Sequence, residues 1–195
     1  MTPFILASGS GIRRQILENA GVQFAVQTSG VDEEAIKRCW SGENPGELAL
    51  ELAKAKARAV DVKDDALVLG ADQILSLDGA MYDKASTAEA AKTRLQDLRG
   101  KSHILHSGLA AYRAGKLVWT HSQHSHLTVR NFSNAFLDQY MELAGDELTA
   151  SVGAYAFEGV GVQLFDKIEG DYYAILGLPL LPVLSLLRRE GVLVK

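Results

Sequence analysis

Several things are scarce in this sequence, and each scarcity removes a class of protein. There is one cysteine, Cys39, among 195 residues, so neither an internal disulfide nor a multi-cysteine metal site is available. Cys39 reads as a small residue near a helix end. No run of 18 apolar residues occurs, so no membrane span is expected. The first residues, "MTPFILASGS", lack a charged n-region and a full apolar h-region and do not read as a signal peptide. A soluble, cytoplasmic protein is expected. Positive charge is not in excess: 20 Lys and Arg stand against 24 Asp and Glu, for a net charge of −4. Aromatics do not interleave with basic runs, so a nucleic-acid polymer is not an expected partner and any anion site must be local. Internal repeats, linkers and low-complexity tracts are also missing. What remains is a chain with 47% hydrophobic and 23% charged residues, enough for a sizeable core and compatible with a single domain over 1–195.

Strand and helix signals alternate. "FILA" (4–7) is a short apolar run that meets Ser and Gly, a buried strand. A helix is predicted over 11–20, with Ile12, Ile16, Leu17 and Ala20 on one face and Gly21 at its stop. "VQFAVQTS" (22–29) reads as a second strand. A polar acidic loop then leads to Pro45, which opens a helix running to about Val60. Residues 66–82 read as a strand pair around the "DG" turn. A helix follows over 87–99, then a long hairpin over 102–130 turning at "RAGK". Residues 133–144 are predicted helical, capped by Asn131 or Ser133. "VQLFDKI" reads as a strand and "GLPLLPVLSLLRREG" as a closing helix. The pattern predicts an α/β fold with a mixed sheet flanked by helices. A boundary, if present, would separate a long-hairpin lobe from the rest.

"LASGSGIRR" (6–14) places small residues and two hydroxyls where a strand passes into a helix. Free N–H groups there attract anions, and small residues admit a ligand close to the backbone. Arg13 and Arg14 stand in the first helical turn, where the macrodipole opposes cations. A bound polyphosphate would remove that conflict, since guanidinium groups match phosphate oxygens; two solvated arginines after a tight turn are the plain alternative. The segment is no P-loop, because the Lys-Ser/Thr ending is missing. On this reading, removing Arg13 leaves the free protein intact or more stable by about 0.3–1 kcal/mol.

"LGADQIL" sets Asp72 at or near the end of an apolar strand, where α/β folds place ligands. Asp72 there holds a divalent cation, orients a water, or is a simple turn residue. Asp32, Glu33 and Glu34 offer hard oxygen ligands or form a solvated acidic loop. Lys54 and Arg58 share a helix face at i, i+4 while Lys56 points elsewhere; solvated charge is the default for all three. His121, His124 and His126 alternate along a strand, so at most two share a side, and exposed strand histidines are the expectation.

In this order the motifs resemble the Maf family of nucleoside triphosphate pyrophosphatases. They are "LASGSGIRR" (6–14), "VDE" (31–33), "LAKAKA" (52–57), "GADQ" (70–73), "DKA" (83–85), "LRGKSH" (98–103) and "EGVGVQLFDKIEGDYYAILGLPL" (158–180). They span essentially the whole chain in register. The resemblance implies an elongated mixed sheet with a central cleft. It implies hydrolysis between the α- and β-phosphates of a nucleoside triphosphate, with Mg²⁺ or Mn²⁺ as cofactor. By position, Asp72 corresponds to the acidic residue that activates water and Glu33 to its partner carboxylate at the metal. Ser8, Ser10, Arg13 and Arg14 correspond to the phosphate cradle, and Lys56 and Lys84 to lysines that neutralise phosphate charge. A homodimer is left open.

Three positions bear on the base. In the branch acting on dTTP and UTP, the residue after the catalytic Asp is Thr and the one before the Gly-x-Gly stretch is Gln. In the branch acting on 7-methyl-GTP these are Gln and Glu. The present chain has Gln73 and Glu158, which resembles the second branch, but Ile12 stands where that branch has Trp. Two family prolines are replaced, by Gly11 and Ala85. A dTTP/UTP pyrophosphatase is one alternative. A non-catalytic nucleotide-binding regulator is another, since the family has been tied to inhibition of cell division.

Overall fold

The computed structural model describes residues 2–62 and 65–194. In chain order it contains β1 (Phe4–Leu6), α1 (Gly11–Asn19), β2 (Ala25–Val26), α2 (Glu33–Cys39), α3 (Pro45–Ala59), β3 (Leu67–Leu77) and β4 (Ala80–Tyr82). There follow α4 (Ala88–Leu98), β5 (Ser102–Arg113), β6 (Lys116–Val129), α5 (Asn134–Ala144), β7 (Phe165–Glu169), α6 (Tyr172–Ile175) and α7 (Leu180–Arg189). The strands form one seven-stranded mixed sheet in the order β2-β1-β3-β5-β6-β7, with β4 on β3. β1 runs parallel to β2 and β3, whereas β4 and β7 are antiparallel to β3 and β6. This is the mixed, helix-flanked α/β architecture that the alternating pattern predicts.

The chain gathers into two compact units. Unit 1 comprises Met1–Gln73, Ser107–Gln123 and Tyr172–Lys195; unit 2 comprises Ile74–His106 and His124–Asp171. In unit 1, side-chain alternation along β3 sorts the two faces of the sheet. Leu67, Leu69 and Ala71 join Phe4, Leu6, Ile16, Leu17, Val183 and Leu187 in one apolar cluster, so α1 and α7 cover that face. Val68 faces the other way, with Ala7, Ala57 and Val60, under α3. The α3 side is unusually close. A Cβ at Gly70 would collide with the Ala53 carbonyl and lie 2.8 Å from Ala57 N, and one at Gly108 would collide with the Ala49–Leu50 peptide. Two glycines on adjacent strands thus seat a helix stripe of Ala49, Ala53 and Ala57.

In unit 2, α4 contributes Ala91, Leu95 and Leu98 and α5 contributes Leu137, Tyr140 and Ala144 to the buried interior. His103 is fully buried there, with its Nε2 2.7 Å from the Tyr155 hydroxyl.

Turn chemistry follows the sequence. Asp78–Gly79 and Ala114–Gly115 have positive φ at both residues, 51° and 84° in the first and 48° and 73° in the second, as two-residue hairpin turns require. Ser133, not Asn131, caps α5, accepting from Phe136 N at 3.1 Å. Three expectations change. The predicted strand 22–29 shrinks to Ala25–Val26, both exposed at the sheet edge, where little burial rewards extended structure. The acidic loop contains a helix, α2, whose N-cap Asp32 accepts from Ala35 N at 2.9 Å. The strand predicted at 162–168 begins only at Phe165, after a 3-10 turn over Val160–Leu164.

Candidate active site

β1 ends at Leu6, and its parallel register pairs Leu6 with Leu69. Ala7 N donates to Leu69 O at 2.8 Å, which lays the Ala7–Ser10 loop alongside the Gly70–Asp72 segment. Asp72 is therefore not at the end of its own strand, as the sequence suggests, but in the middle of β3. It is β1 that stops beside it. By alternation Asp72 shares the α3 face with Val68 and Gly70. Lys56, one turn after Leu52 on the buried side of α3, reaches the same place.

The result is a compact charge cluster. Lys56 Nζ lies 2.6 Å from Asp72 Oδ1 and 2.9 Å from Glu33 Oε2. Glu33 opens α2, so the helix missed in the sequence is the element that positions this carboxylate. Lys56 and Asp72 are buried, at 9% and 8% exposure. Burial pushes the Asp72 carboxyl above its ordinary range, and Lys56 and Arg13 oppose that shift.

Arg13 is buried as well, and it is tied to protein. Its Nε donates to Gly177 O at 2.8 Å, and its Nη1 donates to Ala71 O at 2.9 Å and to Ser8 Oγ at 3.2 Å. Burial lowers its affinity for the proton, offset by the fields of Asp72 and Glu33. This corrects the expectation that Arg13 is dispensable to the free protein. The macrodipole argument counts only the helix end, whereas the side chain leaves that end and satisfies two backbone carbonyls. Arg14 points outward and pairs with Glu18 at 3.4 Å, both more than half exposed.

Ser8 Oγ also accepts from Ser10 N at 3.3 Å. Beside it opens a cavity of about 290 Å³ lined by Ala7, Ser8, Gly9, Thr28, Ser29, Gly30, Val31, Glu33 and Lys56. Residues 28–30 were not singled out in the sequence; their signal is the Thr-Ser-Gly run that directly precedes "VDE". Gln73 Nε2 donates to Ala174 O at 2.8 Å and to Ser107 Oγ at 3.2 Å, so its orientation is fixed from within unit 1. Ile12, partly buried, packs against the apolar cluster of α1 and α7. Gly11, at the start of α1, has open space where a Cβ would sit.

The structure thus gathers Ser8, Arg13, Glu33, Lys56 and Asp72. Lys84 and Glu158 belong to unit 2, exposed, in the segment after β4 and the turn before β7. Among the described residues no three His, Cys, Asp or Glu side chains gather as they would around a metal ion. Cys39 is exposed at the end of α2. No helix among the described residues is long and apolar enough to cross a membrane.

Chemically, two carboxylates converging on one cation in a partly enclosed polar pocket suit the handling of a charged substrate. The family described as Maf-like protein matches residues 3–190, and this chain belongs to it. A nucleoside triphosphate pyrophosphatase of Maricaulis maris is 57% identical over 194 residues, covering 99% of both chains. One from Caulobacter vibrioides is 48% identical, over 99% of this chain and 98% of its own. A 7-methyl-GTP pyrophosphatase of Bartonella quintana is 42% identical, over 97% and 96%.

Proposed function

We propose that this chain hydrolyses a nucleoside triphosphate to the monophosphate and pyrophosphate. The carrying observation is full-length similarity to pyrophosphatases together with the Glu33–Lys56–Asp72 cluster. In this reading Asp72 takes the proton from the attacking water, and Ser8, Ser10, Arg14 and the amides of the loop before α1 hold the phosphate chain. Lys56 balances charge that gathers on the phosphates as the anhydride bond breaks. Arg13 fixes Ser8 and the Ala71 carbonyl next to Asp72. The phosphate role of Lys84 and the base role of Glu158 rest on the motif resemblance alone.

A divalent cation fits this donor set. Mg²⁺ is held by one or two carboxylates plus substrate phosphates and water rather than by a full protein cage, and Asp72 and Glu33 already converge on a single cation, the Lys56 ammonium. Bound there by Asp72 and Glu33, Mg²⁺ or Mn²⁺ would supply charge neutralisation of the phosphate chain.

For the base, we propose 7-methyl-GTP. A relative of that name is 42% identical, and the chain carries Gln73 and Glu158. A carboxylate accepts from the N1–H and exocyclic amine of guanine and favours the positive charge that N7 methylation adds. Pyrophosphate release across a panel of canonical and modified triphosphates tests both levels. Activity on 7-methyl-GTP that moves toward dTTP and UTP in Glu158→Gln is the expected result. Strong dTTP turnover with none on 7-methyl-GTP overturns the base assignment, and no release from any triphosphate overturns the enzyme reading in favour of a non-catalytic regulator.

A further inference from the structure

The charge cluster of unit 1 holds two acids, buried Asp72 and the more exposed Glu33, and two buried cations, and the cations are held differently. Arg13 donates to the backbone carbonyls of Ala71 and Gly177. Moving it strands buried acceptors, which costs more than the bonds themselves contribute. Among the described residues Lys56 pairs with the two carboxylates alone, Asp72 Oδ1 and Glu33 Oε2. Its ammonium is a compact point charge on a flexible four-carbon stem, and that stem borders the cavity of about 290 Å³ shared with Ser8, Gly9 and Ser29. One cation is locked and the other can leave, with space beside it.

From this we infer that Lys56 is a displaceable stand-in for the divalent cation. It clamps Asp72 and Glu33 together in the metal-free protein, and a divalent ion binding those carboxylates releases it into the adjacent cavity. The inference rests on the proposed reading of Asp72 and Glu33 as metal-holding residues. Two like charges converging on one point repel unless something positive lies between them, so the ammonium keeps the pair assembled before the ion arrives. The same ammonium competes with the ion for the same oxygens, so the cation binds more weakly than the bare carboxylate pair allows. Release turns the competitor into an anion ligand. A phosphate in the cavity that accepts from the freed Lys56 lowers the cost of its departure, so the cation and a phosphate-bearing ligand bind with positive, reciprocal coupling.

The test needs no nucleotide turnover. Titration of MnCl2 and MgCl2 into the full chain, by calorimetry and by thermal melting, is compared for wild type, Lys56→Met and Lys56→Arg. Lys56→Met is expected to melt lower without metal, to bind Mn²⁺ about tenfold tighter or more, and to gain more in Tm from it. Lys56→Arg, whose planar fork grips carboxylates at two points, is expected to bind Mn²⁺ more weakly than wild type. Lys54→Met removes a charge from the same helix, where Lys54 pairs with Glu51 at 2.6 Å; a shift below about twofold there separates competition from general electrostatics. Unchanged or weaker Mn²⁺ binding in Lys56→Met overturns the inference, as does equal tightening in Lys54→Met. If Lys56→Met fails to fold, Lys56→Arg decides alone: tighter or unchanged binding overturns it. Because only metal is added, absence of pyrophosphate release by wild type would remove the proposed function without touching this result.

Discussion

Both units bury polar side chains, and they do so by opposite means. Unit 1 buries formal charge: Lys56 and Asp72 pair at 2.6 Å, and Arg13 is held by the Ala71 and Gly177 carbonyls. Unit 2 buries groups held neutral: His103, whose burial lowers its pKa to about 4, and Tyr155, whose hydroxyl is pushed well above its usual range. A neutral pair such as His103–Tyr155 enters a core at lower desolvation cost than an ion, even with His103 Nδ1 left without a partner. A buried ion cluster is a poor way to gain stability, since well-packed apolar residues often do as well or better. On the proposed reading chemistry falls to unit 1 and scaffolding to the buried pair of unit 2, and substitutions in each should separate the two.

Asp72→Asn is expected to have the largest effect. It keeps size and shape but removes the charge and the proton acceptor, so turnover should fall by about 10²–10⁴-fold or more, with far-UV circular dichroism unchanged. Near-normal turnover would move the chemistry away from unit 1. Arg13→Ala strands the Ala71 and Gly177 carbonyls and should lower stability by about 2–3 kcal/mol in denaturant unfolding, whereas a rise in Tm would return Arg13 to a purely ligand-facing role. The third test concerns pH and unit 2. Burial holds His103 and His106 near pKa 4, below the ordinary 6.5. Between those values the unfolded chain binds protons that the folded state refuses. Stability is thus fully present above about pH 6.5 and declines as pH falls toward 4, and His103→Gln should flatten that decline. Smallest is Arg14→Ala. Its exposed pair with Glu18 is worth under about 0.5 kcal/mol, so melting should barely change, and a raised KM for the triphosphate would mark Arg14 as a phosphate ligand.

The same contrast explains what could be read from the sequence. Local signals were legible: the "DG" and "RAGK" turns, Pro45 at the start of α3, Ser133 as a cap, and a strand leading through small residues to a helix. Helix α2 was missed: Asp32 followed by Glu33 and Glu34 and closed by Lys37 and Arg38 carries a helix's cap and charge pattern, but its acidity reads equally as a metal-binding loop. What could not be read was partnership across long separations. Lys56 looks like solvated helix charge until Gly70 and Gly108 bring α3 against the sheet. Arg13 looks misplaced at a helix N-terminus until Gly177, 164 residues away, supplies its acceptor. Ile12 invites a base-contacting role by alignment of motifs, while its packing with α1 and α7 is set by tertiary contacts that no local window contains.

The seat that Gly70 and Gly108 provide for α3 carries a consequence for how the protein can vary. The height of Lys56 above Asp72 is set there by one main chain resting on another, so it works as a gauge block: side chains elsewhere can change size without altering the gap. Exchanges among Leu67, Leu69, Ile16 and Leu187 on the opposite face are then absorbed by α1 and α7, and the ammonium keeps its station. A single methyl group at position 70 does the reverse. It lifts the whole helix, and with it the only lysine that reaches both carboxylates among the described residues. The position of the lysine therefore depends most on the smallest residues of the sheet.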